Sequence, residues 1–102
     1  MVLLEFSMFP TDKGESVSQY VAPLIDLIDK SGLNYQLTSM GTIIEGEWDD
    51  VMNVVTECFK LLEPQSNRIS TFIKIDYRKD SNSRLSTKVE KIENILNRKI
   101  SQ

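Results

Sequence analysis

Thr42 and Glu45 stand three positions apart in the run Gly41-Thr42-Ile43-Ile44-Glu45-Gly46-Glu47-Trp48-Asp49-Asp50-Val51-Met52, which gathers a hydroxyl, several carboxylates and the only Trp of the chain. A carboxylate and a hydroxyl accept hydrogen bonds from an amine or attract a cation, and an indole offers a flat face. The chain has no His and a single Cys, Cys58. Histidine-based triads and the usual zinc sites are therefore excluded, as is an internal disulfide. Cys58 also falls among apolar residues at helical spacing, where a thiol is usually inert. With no nucleophile beside a base, the reading is a non-enzyme with no catalytic residues, no metal site and no cofactor.

Composition narrows the class further. The 102 residues suit one domain over 1–102, with 40% hydrophobic and 26% charged residues as in an ordinary globular protein. A chain this short buries only about two-thirds of its unfolded surface, enough for one core. A net charge of -3 gives no global attraction to phosphate backbones, so nucleic acid is not an expected partner. Met1-Val2-Leu3-Leu4-Glu5 lacks the form of a signal peptide, and no run approaches the roughly 20 apolar residues of a membrane span. The expectation is a cytoplasmic protein without a membrane partner.

The elements that must position the Thr42–Met52 run can be read in order. Val2 to Phe9 is rich in strand formers and stops at Pro10. Ser16-Val17-Ser18-Gln19 has capping-box spacing, and Val17, Tyr20, Val21, Leu24, Leu27 and Ile28 recur at helical spacing up to Gly32. Pro23 falls inside this helix and predicts a kink, the alternative being a later start. Asn34–Met40 and Thr42–Glu47 read as a tight β-hairpin about Gly41. Trp48 to Leu62 is a helix with Trp48, Val51, Met52, Val55, Cys58, Phe59 and Leu62 on its stripe, and Asp49 and Asp50 in its first turn, where the helix dipole favours negative charge. Arg68 to Lys79 is a long strand, Asp80 to Arg84 a polar loop, and a last helix starts near Thr87, with Glu90 at capping-box spacing and Val89, Ile92, Ile95 and Leu96 apolar. The order is βαββαβ plus a C-terminal helix, which predicts an α+β, ferredoxin-like sandwich: a four-stranded antiparallel sheet with the first and third strands central and two helices on one face.

Alternation then assigns the faces. Ile69, Ile73 and Ile75 should meet the helices, while Phe72, Lys74, Asp76 and Arg78 point away with Glu5 and Ser7. Burying Ile44 and exposing Glu45 is the cheaper choice on the third strand. The open face then carries Phe72, Ile43, Ser7, Glu5, Glu45, Lys74 and Asp76, too apolar for a wet surface and too charged for a core. Such a face predicts either packing against another subunit or a pocket for a small amine-bearing or cationic ligand, and the two are compatible.

The same residues resemble a known family, the small thiamine-binding proteins. The resemblance is carried by Pro10, Val17-Ser18-Gln19-Tyr20-Val21-Ala22, Ser31-Gly32-Leu33-Asn34-Tyr35, the Met40–Met52 segment and Ile73-Lys74-Ile75-Asp76-Tyr77-Arg78; Gly41-Thr42-x-x-Glu45-Gly46 is its specific part. It departs at Tyr77, where an acidic residue is expected, and at Thr11-Asp12-Lys13 after Pro10. The resemblance implies a ferredoxin-like domain that associates through its sheets into a homodimer or homotetramer and binds thiamine or hydroxymethylpyrimidine. An aminopyrimidine wants an acceptor for its amine and an apolar slot for its ring, which makes Glu45, Thr42 and Asp76 candidate polar contacts and Met8, Ile43 and Trp48 candidate walls. Trp48 at the start of an amphipathic helix also suits a core or an interface, and Lys74 and Arg78 suit pairing with the carboxylates. The alternative function is an assembly module with no small ligand. RNA recognition and metallochaperone roles are disfavoured, since only Phe72 could stack bases and no paired-cysteine motif exists.

Overall fold

The computed structural model describes residues 1–14, 17–79, 85 and 87–100, with the backbone alone at 87 and 88. The elements run β1 (Val2–Pro10), α1 (Ser18–Lys30), β2 (Asn34–Thr38), β3 (Gly41–Gly46), α2 (Trp48–Leu62), β4 (Ile69–Tyr77) and α3 (Thr87–Leu96), with a 3-10 turn over Glu63–Gln65. The strands form one sheet in the order β2-β3-β1-β4, every pairing antiparallel. The expected ferredoxin-like order is present, with β1 and β3 in the middle.

Strand alternation builds the core. Val2, Leu4, Phe6 and Met8 of β1 and Ile44 of β3 lie buried beneath Leu24 and Ile28 of α1 and Val51, Val54, Val55, Cys58 and Leu62 of α2. Leu4, Ile28 and Ile44 are fully buried, and each such side chain contributes about 1.5–3 kcal/mol of hydrophobic stabilisation. The stripe of α2 differs from the sequence reading: Val54 joins it, while Trp48 and Phe59 are 51% and 39% exposed. At 3.6 residues per turn Trp48, Met52 and Phe59 lie roughly 60–100° round the helix from Val51, on one flank of the buried face.

Pro23 stands inside α1 as expected. Its missing N–H leaves the carbonyl of Gln19, an exposed residue, to water. Val17 is the N-cap and makes no side-chain cap bond; Ser16 of the expected capping box lies outside the described residues, as do the Asp80–Arg84 loop and the Thr87 side chain. At the other end the Ser31 hydroxyl donates to the Ile28 carbonyl at 2.6 Å and Gly32 takes a φ of +81°, a conformation that glycine adopts without strain.

Two polar ties matter for the site. Asp12, in the loop after β1, accepts from the Ser66 hydroxyl at 2.6 Å and from the Asn67 N–H at 2.8 Å, fastening that loop to the one before β4. These bonds hold the Asp12 carboxyl below its ordinary pKa. At the far side of the sheet, the Leu85 N–H donates to Glu45 Oε2 at 3.0 Å. The apolar residues of α3 are not buried as its stripe led one to expect: Ile92, Ile95 and Leu96 are exposed. The far end of α3 is closed by Glu93, which accepts from the Ile100 N–H at 2.9 Å beside a left-handed Asn97.

Candidate functional site

The structure separates the six candidate residues. Met8 and Thr42 are on the helix-covered face, both about 5% exposed, because they share parity with Leu4 and Ile44 along their strands. Ile43, Glu45 and Asp76 are on the opposite face, and Trp48 begins α2 beyond the sheet. Ile43 and Asp76 do meet there, lining a groove of about 160 Å³ with Leu3, Glu5 and Lys74. Glu45 shares that face but is only 4% exposed. The exposure expected of it is not found, and its carboxylate accepts from the Leu85 N–H.

Met8 and Thr42 instead line a larger cavity, about 520 Å³, at the end of the sheet. Its origin is a mismatch of strand lengths. β1 has nine residues, but β3 pairs with it only from Val2↔Gly46 to Phe6↔Thr42. Beyond Phe6 the hairpin turns away through Ser39 and Met40, leaving β1 without a neighbour on that side. The turn is held by the Thr38 hydroxyl, which donates to the Gly41 carbonyl at 2.8 Å and accepts from the Met40 N–H at 3.2 Å. Gly41 has to be small: a Cβ there would stand 2.9 Å from the Phe6 carbonyl oxygen.

Into the notch beside β1 project Val17, the N-cap of α1, and Val21, Leu24 and Ile25 of that helix, with Leu37 and Met40 of the hairpin opposite. The cavity reaches through the gap to the open face, where Phe72 lies at its rim, stacked on Phe9 with ring centroids 6.5 Å apart. The lining is predominantly apolar, its polar side chains being Ser7, Thr38, Ser39 and Thr42. Such a space suits a flat, mostly apolar molecule with few hydrogen-bonding groups. Sequence reasoning found two of its residues, Met8 and Thr42, and missed the α1 wall. The available signal was the excess length of β1 over β3, ending in Pro10.

Among the described residues no three Cys, Asp or Glu side chains come together to hold a metal, and no helix is long and apolar enough to cross a membrane. Burial pushes the Cys58 thiol up to about 11, and Glu57 adds to the shift. The thiol therefore stays protonated at neutral pH and is a poor nucleophile.

The comparisons with known proteins agree with this architecture. Residues 4–93 match the family described as thiamine-binding protein. The UPF0045 protein MJ1052 of Methanocaldococcus jannaschii is 33% identical over 91 residues, covering 89% of this chain and 91% of that protein. Its crystal structure superposes with a TM-score of 0.81, over 89% of this chain and 94% of that one. The UPF0045 protein MT1949 of Mycobacterium tuberculosis is 36% identical over 96 residues, 93% of this chain and 94% of that protein. A domain of unknown function from Bacillus cereus is 31% identical, with a TM-score of 0.77 over 88% of both chains. With most of its length matched in sequence and the same fold in its relatives, this chain belongs to the thiamine-binding protein family.

Proposed function

We propose that the protein is a non-catalytic binding protein for thiamine or its hydroxymethylpyrimidine moiety, held in the cavity between α1, β1 and the β2–β3 hairpin. The observation that carries the reading is that cavity: about 520 Å³, largely apolar, in a chain of the thiamine-binding family. Its size is within the range of small-molecule sites, roughly 300–1,000 Å³. Thr42 offers a hydroxyl to the pyrimidine, Met8 an apolar wall, and the Phe9–Phe72 stack at the rim an aromatic face for a cationic ring. Ile43, Glu45, Asp76 and Trp48 then lie outside the ligand site. The lone Cys58, buried and unpaired in a disulfide, suits the reducing cytoplasm, where the proposal places the protein.

Calorimetric titration with thiamine and with hydroxymethylpyrimidine tests this, after native mass spectrometry has confirmed ligand-free protein. Micromolar, saturable binding is expected, together with its loss in Val21→Trp, which fills the cavity from the α1 side. Silence of the wild type, or equal binding by the variant, refutes the assignment.

Self-association into a homodimer or homotetramer is supported by a separate observation. β4 is an edge strand of nine residues, and Phe72, Ile73 and Tyr77 on it are 66%, 44% and 63% exposed. Long apolar edges are usually covered by a neighbour. Antiparallel pairing of two β4 strands about Ile75 would set Lys74 of one copy opposite Asp76 of the other, an opposite-charge pair on each side of the axis. Sedimentation should then show an oligomer that Lys74→Glu weakens and Lys74→Glu/Asp76→Lys restores. A monomer at all concentrations sinks this reading, whereas a stable oligomer with no vitamin binding would favour an assembly module.

A further inference from the structure

We infer that the cavity recognises its ligand through the main chain of Met8, whose N–H and C=O together engage the amidine edge of an aminopyrimidine: a ring nitrogen that accepts beside an exocyclic amine that donates. The inference rests on the cavity being the ligand site and adds which atoms read the ligand.

Strand parity sets where the main-chain groups of β1 point. β1 and β4 pair in continuous register from Val2↔Tyr77 to Pro10↔Ile69. The two hydrogen bonds that flank this ladder run from the Thr11 N–H to the Arg68 carbonyl, at 2.9 Å, and from the Arg78 N–H to the Met1 carbonyl, at 3.3 Å. They continue the same register with odd-numbered residues of the first strand. In an antiparallel ladder, residues that exchange bonds with one neighbour alternate with residues whose N–H and C=O point to the other side. The even-numbered residues of β1 therefore direct their main-chain groups toward β3. Val2, Leu4 and Phe6 find Gly46, Ile44 and Thr42 there.

Met8 is the next even position, and β3 has ended. The residue that would continue the register is Met40, which belongs to the turn and is 86% exposed. Among the described residues no hydrogen bond joins the Met8 main chain to the hairpin. Met8 is nevertheless only 5% exposed and lines the cavity. Its N–H is thus a nearly buried donor left over by the sheet, beside its own carbonyl. Such groups are costly to leave unpaired, and native proteins satisfy them with water or a ligand. Pro10, the following even position, has no N–H, so a further strand could not use this edge as a regular ladder.

The leftover pair has a definite hydrogen-bonding pattern. One residue of a strand presents a donor and an acceptor on the same side in one plane, and the complement is an acceptor next to a donor on a flat molecule. An aminopyrimidine supplies that edge while its ring occupies the apolar space between α1 and the hairpin. A pyrimidine without the amine keeps the ring and loses half of the pair.

The test is nuclear magnetic resonance of the whole protein, following the Met8 amide during titration with hydroxymethylpyrimidine and with its des-amino analogue. In the free protein the Met8 amide should exchange with solvent faster than the Phe6 amide. Hydroxymethylpyrimidine should move its resonance downfield and slow its exchange by about tenfold or more, and the des-amino analogue should bind about tenfold more weakly. Binding that Val21→Trp abolishes but that leaves the Met8 amide unmoved would overturn this inference alone. Equal affinity for both pyrimidines would do the same. No binding of either would remove the ligand site and this inference with it.

Discussion

Substituting Glu45→Ala separates two roles that the sequence alone cannot tell apart, a ligand contact and a fastening for α3. The Glu45 carboxylate is 4% exposed and accepts from the Leu85 N–H at 3.0 Å. A hydrogen bond to a charged acceptor contributes about 1.5–3 kcal/mol. If that bond holds the start of α3 on the sheet, its loss raises local opening by roughly 10- to 100-fold, at about 1.4 kcal/mol per factor of ten. The effect on global unfolding should be smaller, because removing a buried carboxylate also removes its desolvation cost. Amide exchange read by magnetic resonance gives the local term directly: the Leu85 amide and the first turns of α3 should exchange faster by that factor. The protection of β1 and β3 should change little. Glu45→Gln, which keeps an acceptor at the same reach, should recover part of the protection. Thiamine titration of the same variants should return wild-type affinity, because Glu45 does not line the cavity. Unchanged exchange at Leu85 combined with a tenfold or greater loss of affinity would refute the fastening role and return Glu45 to the ligand site.

Gly41→Ala forces a Cβ to within 2.9 Å of the Phe6 carbonyl, a backbone atom that cannot swing away. A loss of about 1–3 kcal/mol in urea unfolding is expected, with weakened ligand binding because the hairpin forms one wall of the cavity; wild-type stability would show that the strands can part without cost. Cys58 has a thiol pKa of about 11 against an ordinary value of 9.0. The folded state therefore holds the proton more tightly than the unfolded one, so stability contributed by the thiol is intact below about pH 9 and is lost as pH rises toward 11. Wild type minus Cys58→Ala should show a downward slope of up to about 1.4 kcal/mol per pH unit in that window. Flat difference curves there, or rapid alkylation of the native protein at pH 8, would contradict the burial of the thiol.

The secondary structure was largely legible because each element carries a complete pattern. α2 begins at Trp48 and ends at Leu62 as its period indicates, and the parity that buries Ile44 beside Leu4 follows from alternation. Burial was less legible where it depends on what arrives from elsewhere. Alternation correctly turned Glu45 away from the helices, yet it says nothing of Leu85, whose N–H meets the Glu45 carboxylate from 40 residues further on. An amphipathic stripe likewise tells which side of α3 is apolar and not that Ile92 and Ile95 stay exposed. The cavity was the least legible feature. It arises from two strands of unequal length and a helix crossing their end, a relation that no local window of residues contains. Met8 and Thr42 were found through the family resemblance and the chemistry of their side chains, whereas Val21 and Leu24 read only as core.

The central place of β1 also sets an order of events in synthesis. This strand pairs with β4 over its full length, and its Val2 end meets Tyr77. During translation the first strand leaves the ribosome long before its second neighbour exists. At about 5–20 residues per second the interval between Pro10 and Tyr77 is roughly 3 to 13 s. Through that interval α1, the hairpin and α2 can assemble against one side of β1, while its other side, an apolar strand edge, stands uncovered. Sheets closed by such distant pairings fold slowly and expose edges that other chains can use. The last strand therefore acts as the commitment step: a nascent chain stopped before Ile69 has its β1 edge open, and one carried past Tyr77 can close the sheet.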